Sequence, residues 1–221
     1  MSKHSSETAA KKHPGQSPIR VWIPACSTGE EAYSVAMLFL EEMSAANRSI
    51  PLQIFASEID SEALNFAREG IYPHSIANDA SEARLSRFFT KHDSHYQVIK
   101  SLRESVIFSV HNLLSDAPFS RLDLISCRNF LMYLEPVAQR RLIALFAFAL
   151  NRNGHLFLGK SDAIVSQDSF FVPVFENGES IAAALPQLPA YRNLRTAAKV
   201  ARGVWTRAID DRIPAPGTYP N

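Results

Sequence analysis

Residues able to do chemistry gather at four places in this chain of 221 residues. They are Cys26-Ser27-Thr28-Gly29-Glu30-Glu31, Ser57-Glu58-Ile59-Asp60, His111-Asn112-Leu113 and Ser126-Cys127-Arg128-Asn129. Each group follows a short β-rich run, which puts it at a predicted strand end. The first group is the most informative, because two adjacent carboxylates follow a tight turn with a single glycine. Phosphates are held by bare backbone N–H groups and lysine. Glu30 and Glu31 instead suit a cationic or hydroxyl-bearing ligand. A carboxylate at a second strand tip, as at Glu58, has two oxygens at the right spacing for both ribose hydroxyls. The competing role for Glu58 and Asp60 is a helix cap or a partner of the helix dipole, and Asp60 is assigned mainly to capping. The same dipole role is open to Glu30 and Glu31, of which one is expected to face the pocket and the other solvent. Arg128 and Asn129 read equally well as a polar loop. His111 and His155 read as structural, with no second ligand beside either to indicate a metal, and Phe88 and Phe89 as core.

The elements that must position these groups follow from periodicity and punctuation. Ile19–Pro24 reads as a strand, and Glu30–Ala46 as a helix with Ala32, Val35, Ala36, Phe39, Leu40 and Met43 on one face. Leu52–Ser57 is apolar enough for a strand buried on both faces. Ser61 is expected to cap a helix through Arg68 that Gly70 stops. Ser81–Phe89 reads as helical. Tyr96–Lys100 and Ser105–Val110 flank a polar stretch, as a hairpin or as a small excursion leading back into the sheet. Leu122–Ser126 is a core strand, Pro136 opens a helix to Leu150, and His155–Leu158 is a further strand. Phe170–Phe175 and Ser180–Leu185 form a closing hairpin around Asn177-Gly178. Alternating strands and helices predict an α/β fold, a Rossmann-like, mostly parallel sheet with an antiparallel C-terminal hairpin. In such sheets ligands bind at the carboxyl ends of the strands.

Bulk properties narrow the classes. Apolar residues make up 46% of the chain and charged ones 20%, with a net charge of +1, so no field draws in nucleic acid. Cys26 and Cys127 lie far apart in the chain, which fits neither a disulfide framework nor a zinc site, and a reducing cytoplasm is the expectation. Residues 1–18 are polar, with no apolar stretch for a signal peptide, and read as a disordered lead. No run approaches the roughly 20 apolar residues of a membrane helix. Residues 186–221, proline-containing and basic, read as a tail or linker.

The motifs CSTGEEAYSVAM, ASEID with its following A-R-E-G-I-Y, SVHNLL and LDLISCRNFLMYL, in that order over residues 19–185, strongly resemble the CheR-type chemoreceptor methyltransferases. The resemblance implies a class I methyltransferase sheet and S-adenosyl-L-methionine as cofactor. It implies methyl transfer to glutamates of a chemoreceptor's cytoplasmic domain. Glu31 would contact the methionine or adenosine part of the cofactor and Glu58 its ribose. Asn112 and Leu113 would form the adenine-side wall, Cys127 and Arg128 the next wall. Arg128 and Tyr133 would face the methyl acceptor.

The sulfonium donor is already activated, and a glutamate acceptor is ionised near neutral pH, so no general base is required. Alignment and removal of water remain. Residues 70–107 correspond to the family's small β-subdomain. Ala25 stands where the family often has glycine, Ala32 where it often has proline, and Glu58 is one methylene longer than the usual aspartate. Family members carry a helical domain ahead of the sheet, which here is expected to be missing, and fusion to another signalling domain would suit the basic tail. Two other readings stay open: a weak or inactive cofactor-binding module of the same fold, and a nicotinamide dehydrogenase. The dehydrogenase predicts glycines where Ala25, Ser27 and Thr28 stand.

Overall fold

The computed structural model describes residues 17–159, 170–176 and 180–184. All but the last two residues of the expected lead, and the whole of the expected tail, lie outside the described residues.

β1 (Ile19–Pro24) is buried along almost its whole length and pairs in parallel with β2 (Leu52–Glu58), from Ile19 opposite Leu52 to Pro24 opposite Ser57. Alternate β1 side chains serve two cores. Val21 and Ile23 join the one that includes Ala32, Val35, Ala36, Phe39 and Met43 of α1 (Glu30–Ala45). Trp22 points into the other, with Leu142, Ile143 and Phe146 of α5 (Pro136–Ala149). Helices therefore cover both faces, as the continuous apolar strands require.

α2 (Ser61–Glu69) starts at Asp60, whose side chain accepts from the N–H groups of Glu62 and Ala63, and ends at Gly70 with a φ of 61°. The cap is thus Asp60, as its assignment to capping expected, and not Ser61: standing one residue earlier, its carboxylate already satisfies the first free donors of the helix. The chain then leaves the main sheet. β3 (Ile71–Pro73), β4 (Phe89–Lys91) and β5 (His95–Val98) form a separate antiparallel sheet in the order β3-β5-β4. A 3₁₀ turn, His74–Asn78, and α3 (Glu82–Phe88) join β3 to β4. The one-turn α4 (Lys100–Arg103) leads back to β6 (Val106–Val110), which pairs in parallel with β2. The two β-rich segments around Ser101–Glu104 therefore do not pair with each other. The first closes the small sheet and the second becomes an edge of the large one.

β7 (Leu122–Cys127), α5 and β8 (Leu150–Gly159) complete five parallel strands. The closing hairpin is β9 (Val172–Glu176) and β10 (Ser180–Ala184). Its second strand docks antiparallel on β8 and its first lies outside, giving the order β6-β2-β1-β7-β8-β10-β9. This is the mostly parallel, Rossmann-like sheet expected from the alternation of elements. The chain winds from β1 towards β6, then restarts at β7 on the other side of β1. That switch point is where an open α/β sheet leaves a crevice. Among the described residues no helix is long and apolar enough to cross a membrane.

Candidate functional site

The four groups read from the sequence all stand at the carboxyl edge of the parallel sheet. A cavity of about 130 Å³ opens there, lined by Ala25, Glu58, Ile59, His111, Asn112, Leu113, Leu114 and Phe130. Three of the expected ligand-contacting residues, Glu58, Asn112 and Leu113, thus share one cavity. Ile59, Leu114 and Phe130 complete its apolar walls. Among the described residues no lysine or arginine lines it, and one carboxylate, His111 and Asn112 stand among otherwise apolar side chains. That suits the ribose and base of a nucleoside better than a phosphate chain.

Glu58 is set by the parallel register of β1 and β2. Its Oε2 accepts from the N–H of Ser27 at 2.9 Å, and its Oε1 from the N–H groups of Ile59 at 2.8 Å and Asp60 at 3.2 Å. The carboxylate therefore ties the tip of β2 to the turn after β1 as well as lining the cavity. Beneath it, Trp22 Nε1 donates to Ser57 Oγ at 2.9 Å and locks the two strands together. Asn112 turns the chain after β6: its side-chain oxygen accepts from Leu114 N–H, and its own N–H donates to Asp116. The Asn112 N–H, and after it the Ser115 hydroxyl, hold the exposed Asp116 carboxyl below its ordinary range.

The turn after β1 departs most from relaxed geometry. Ala25, Ser27 and Gly29 have φ values of 52°, 47° and 91°, the left-handed region that costs any residue with a Cβ. At Gly29 a Cβ would come within 2.8 Å of Ala67 Cβ, so glycine is required by space as well as by φ. The turn is cross-braced. Cys26 N–H donates to Ser57 O, Gly29 N–H donates to Cys26 O, and Tyr72 hydroxyl donates to Thr28 O at 2.7 Å.

Glu30 and Glu31 are both buried, at 6% and 2% exposure, so neither faces solvent. This corrects the expectation of one inward and one outward carboxylate. The first turn of α1 lies under the strand tips, and both positions fall inside. Thr28 Oγ1 donates to both Glu30 oxygens, at 2.6 and 2.9 Å. Burial nevertheless raises the Glu30 carboxyl above its ordinary value, the Thr28 bond opposing it. Glu31 Oε1 accepts from the hydroxyl of Ser126 on β7, which fixes it behind the lined cavity rather than on its wall.

Cys127 is fully buried at the end of β7 in the α5-side core, so its thiol does not reach the cavity. Cys26 is buried too. Desolvation, followed by the negative charges of Glu58 and Glu31, pushes its thiol far above the ordinary cysteine range, and it stays protonated and inert. Arg128 is half-buried, its guanidinium carbon 5.8 Å from the centre of the Phe157 ring. Tyr133, in the 3₁₀ turn Leu131–Tyr133, is 76% exposed. Arg128 and Tyr133 thus border the edge outside the lined cavity.

The sequence reading did not single out Ile59, Leu114 or Phe130 as cavity residues, and it assigned His111 to structure. His111 Nε2 meets Ala117 O at 3.1 Å, its ring stacks on Phe119 and meets Trp22 edge-on, and its buried Nδ1 has no hydrogen-bond partner. A larger groove of about 440 Å³ sits at the other end of α1, lined by Glu41, Ser81, Arg84 and Arg87 among others. Arg84 and Glu41 neutralise each other there through two bonds of 2.9 Å, and its chemistry is unrelated to the strand tips. Among the described residues no cluster of histidine, cysteine or carboxylate side chains is arranged to hold a metal ion.

Comparison with known proteins agrees with this geometry. Residues 1–177 match the family described as CheR methyltransferase, SAM-binding domain. The chain is 43% identical over 157 residues to an uncharacterized 104.1 kDa protein of Rhodobacter capsulatus, covering 71% of this chain and 16% of that protein. It is 34% identical to chemotaxis protein methyltransferase 2 of Vibrio cholerae, covering 69% of this chain and 54% of the relative. It is 36% identical to the chemotaxis protein methyltransferase of Escherichia coli, with 65% and 51% covered. The chain therefore spans about half the length of the chemotaxis methyltransferases it matches.

Proposed function

The chain belongs to the CheR methyltransferase family, over its S-adenosylmethionine-binding domain, and from that membership we propose that it methylates glutamate side chains in the cytoplasmic domain of a chemoreceptor. The observation that carries this reading is the single cavity lined by Glu58, Asn112 and Leu113, with Arg128 just beyond the tip of β7.

Glu58 is the ribose ligand in this reading. Its Oε1 already accepts two backbone donors and its Oε2 one, which leaves Oε2 to take a hydroxyl. Asn112 and Leu113 flank the adenine, and Glu31 supplies negative charge on the methionine side. Cys127, its thiol buried, contributes backbone to the wall that Arg128 continues. When bound, S-adenosylmethionine supplies a methyl group already activated by a sulfonium. The acceptor glutamate is ionised near pH 7, so the protein needs no general base. Its work is to aim a carboxylate oxygen and exclude water. Arg128 can hold the far oxygen of that carboxylate through its planar fork. The exposed Tyr133 shares the positioning. With the receptor's cytoplasmic domain as substrate, the reaction takes place in the cytoplasm.

Calorimetric titration with S-adenosylmethionine and with NAD tests the cofactor; binding of the first alone is expected. Transfer of labelled methyl to a receptor fragment, released by mild base as from an ester, tests the reaction. Binding without transfer would make the domain a cofactor-sensing module instead. Arg128→Ala is expected to slow transfer about a hundredfold, the scale of a lost positioning contact. Full activity in that variant would remove Arg128 from the mechanism.

A further inference from the structure

The turn Ala25–Gly29 holds three of its five residues at positive φ, two of them non-glycine. Such strain persists only where surrounding contacts over-determine the backbone. Two of those contacts come from β2 at the sheet edge, Cys26 N–H to Ser57 O and Ser27 N–H to Glu58, and a third, Gly29 N–H to Cys26 O, closes the turn on itself. A fourth comes from outside the large sheet. Tyr72, the middle residue of β3 and 2% exposed, donates its hydroxyl to the carbonyl of Thr28. Its ring meets Tyr33 and Phe66 edge-on, and across the small sheet it stands opposite Tyr96.

We propose that Tyr72 is a positioning residue for cofactor binding, its hydroxyl holding the strained turn in the shape that the ligand meets. This inference rests on the reading of the adjoining cavity as the cofactor pocket. Phenylalanine at position 72 would keep the ring packing and leave the Thr28 carbonyl without its donor. A half-buried carbonyl in that state favours any rearrangement that reaches water. The turn then visits relaxed conformations, and apparent affinity falls by the fraction of molecules still competent to bind. The methyl-transfer step, once the site is filled, is untouched, so the effect lies in KM for the cofactor and not in kcat.

A second tyrosine supplies the control. Tyr33 is equally buried and its hydroxyl donates at 2.8 Å to the carbonyl of Ala67 in α2, the residue packed against Gly29, and not to a carbonyl of the turn. Tyr33→Phe removes a comparable bond with no brace lost at Thr28.

The test is calorimetric binding of S-adenosylhomocysteine to the full chain, to Tyr72→Phe and to Tyr33→Phe. Amide hydrogen exchange across residues 26–29 is followed without ligand, and thermal midpoints are recorded for all three proteins. The expected result is a roughly fivefold weaker affinity for Tyr72→Phe, the equivalent of about 1 kcal/mol. Faster exchange confined to the turn should accompany it, with Tyr33→Phe matching the fall in midpoint but keeping its affinity. Unchanged exchange at the turn in Tyr72→Phe would overturn the proposal, and so would equal losses of affinity in the two variants. Failure of the unaltered chain to bind S-adenosylhomocysteine would overturn the cofactor reading itself, while the exchange comparison still decides whether Tyr72 braces the turn.

Discussion

At Ala25 a residue with a Cβ adopts a φ of 52°, a conformation that costs roughly 1–2 kcal/mol relative to ordinary backbone. Glycine loses part of that advantage through its larger unfolded-state entropy, about 0.5–1 kcal/mol. Ala25→Gly is therefore expected to stabilise the domain by about 0.5–1 kcal/mol. The check is a urea midpoint that rises with an unchanged slope. Much at this scale was legible in the sequence. Glu58 stands out as a carboxylate at a second strand tip, and it does line the cavity. Its bond from Ser27 N–H was not legible, because it depends on how far the turn after β1 folds over the tip of β2. The burial of both Glu30 and Glu31 was hidden for a similar reason. An acidic pair in a first helical turn satisfies the dipole whether exposed or buried. Only the packing of α1 against β7, through Glu31 and Ser126, decides between the two.

Between β7 and α5 the chain makes the bend that carries Arg128 and Tyr133. Its shape is held from α5: Gln139 Nε2 donates to Leu131 O at 2.8 Å and to Leu134 O at 2.9 Å. Tyr133 N–H to Phe130 O and Leu134 N–H to Leu131 O complete the turn. Gln139→Ala frees two carbonyls and one element end. The expected outcome is methyl transfer slowed about tenfold at saturating cofactor, since a small misplacement of reacting groups is costly. Affinity for S-adenosylhomocysteine should fall less than the transfer rate, because Glu58, Asn112 and Leu113 belong to other elements and Phe130 is the one residue of the bend that lines the cavity; single-turnover assay and calorimetry separate the two. Element identities were largely readable, from strand runs, the Pro136 start and the Gly70 stop. The pairing of Val106–Val110 was not. A β-rich segment of that length serves equally as a hairpin arm or as a parallel edge strand. What excludes the hairpin is the turn of helix at Lys100–Arg103, three polar residues around the buried Leu102, too short to show a helical period.

Across the whole molecule, alternation was enough to foresee a parallel sheet with a reversed end. The order of the last two strands could not be foreseen, since a hairpin docks equally well by either arm on composition alone. It docks by its second arm: β10 pairs with β8, and β9 pairs only with β10 among the described strands. A chain cut after Glu176 is therefore expected to lose the seating of β9 as well as the missing strand, and to elute from size exclusion as large or mixed species. A monomer of native thermal midpoint would contradict this. The reason lies in the order of synthesis, which the sheet inverts at this border. β9 leaves the ribosome before β10 yet lies outside it. Until β10 arrives, β8 carries an open row of N–H and C=O groups that another nascent chain can template upon. The last link of the sheet thus doubles as a seal against self-association during folding, and the interval before it closes is when the chain is most exposed to aggregation.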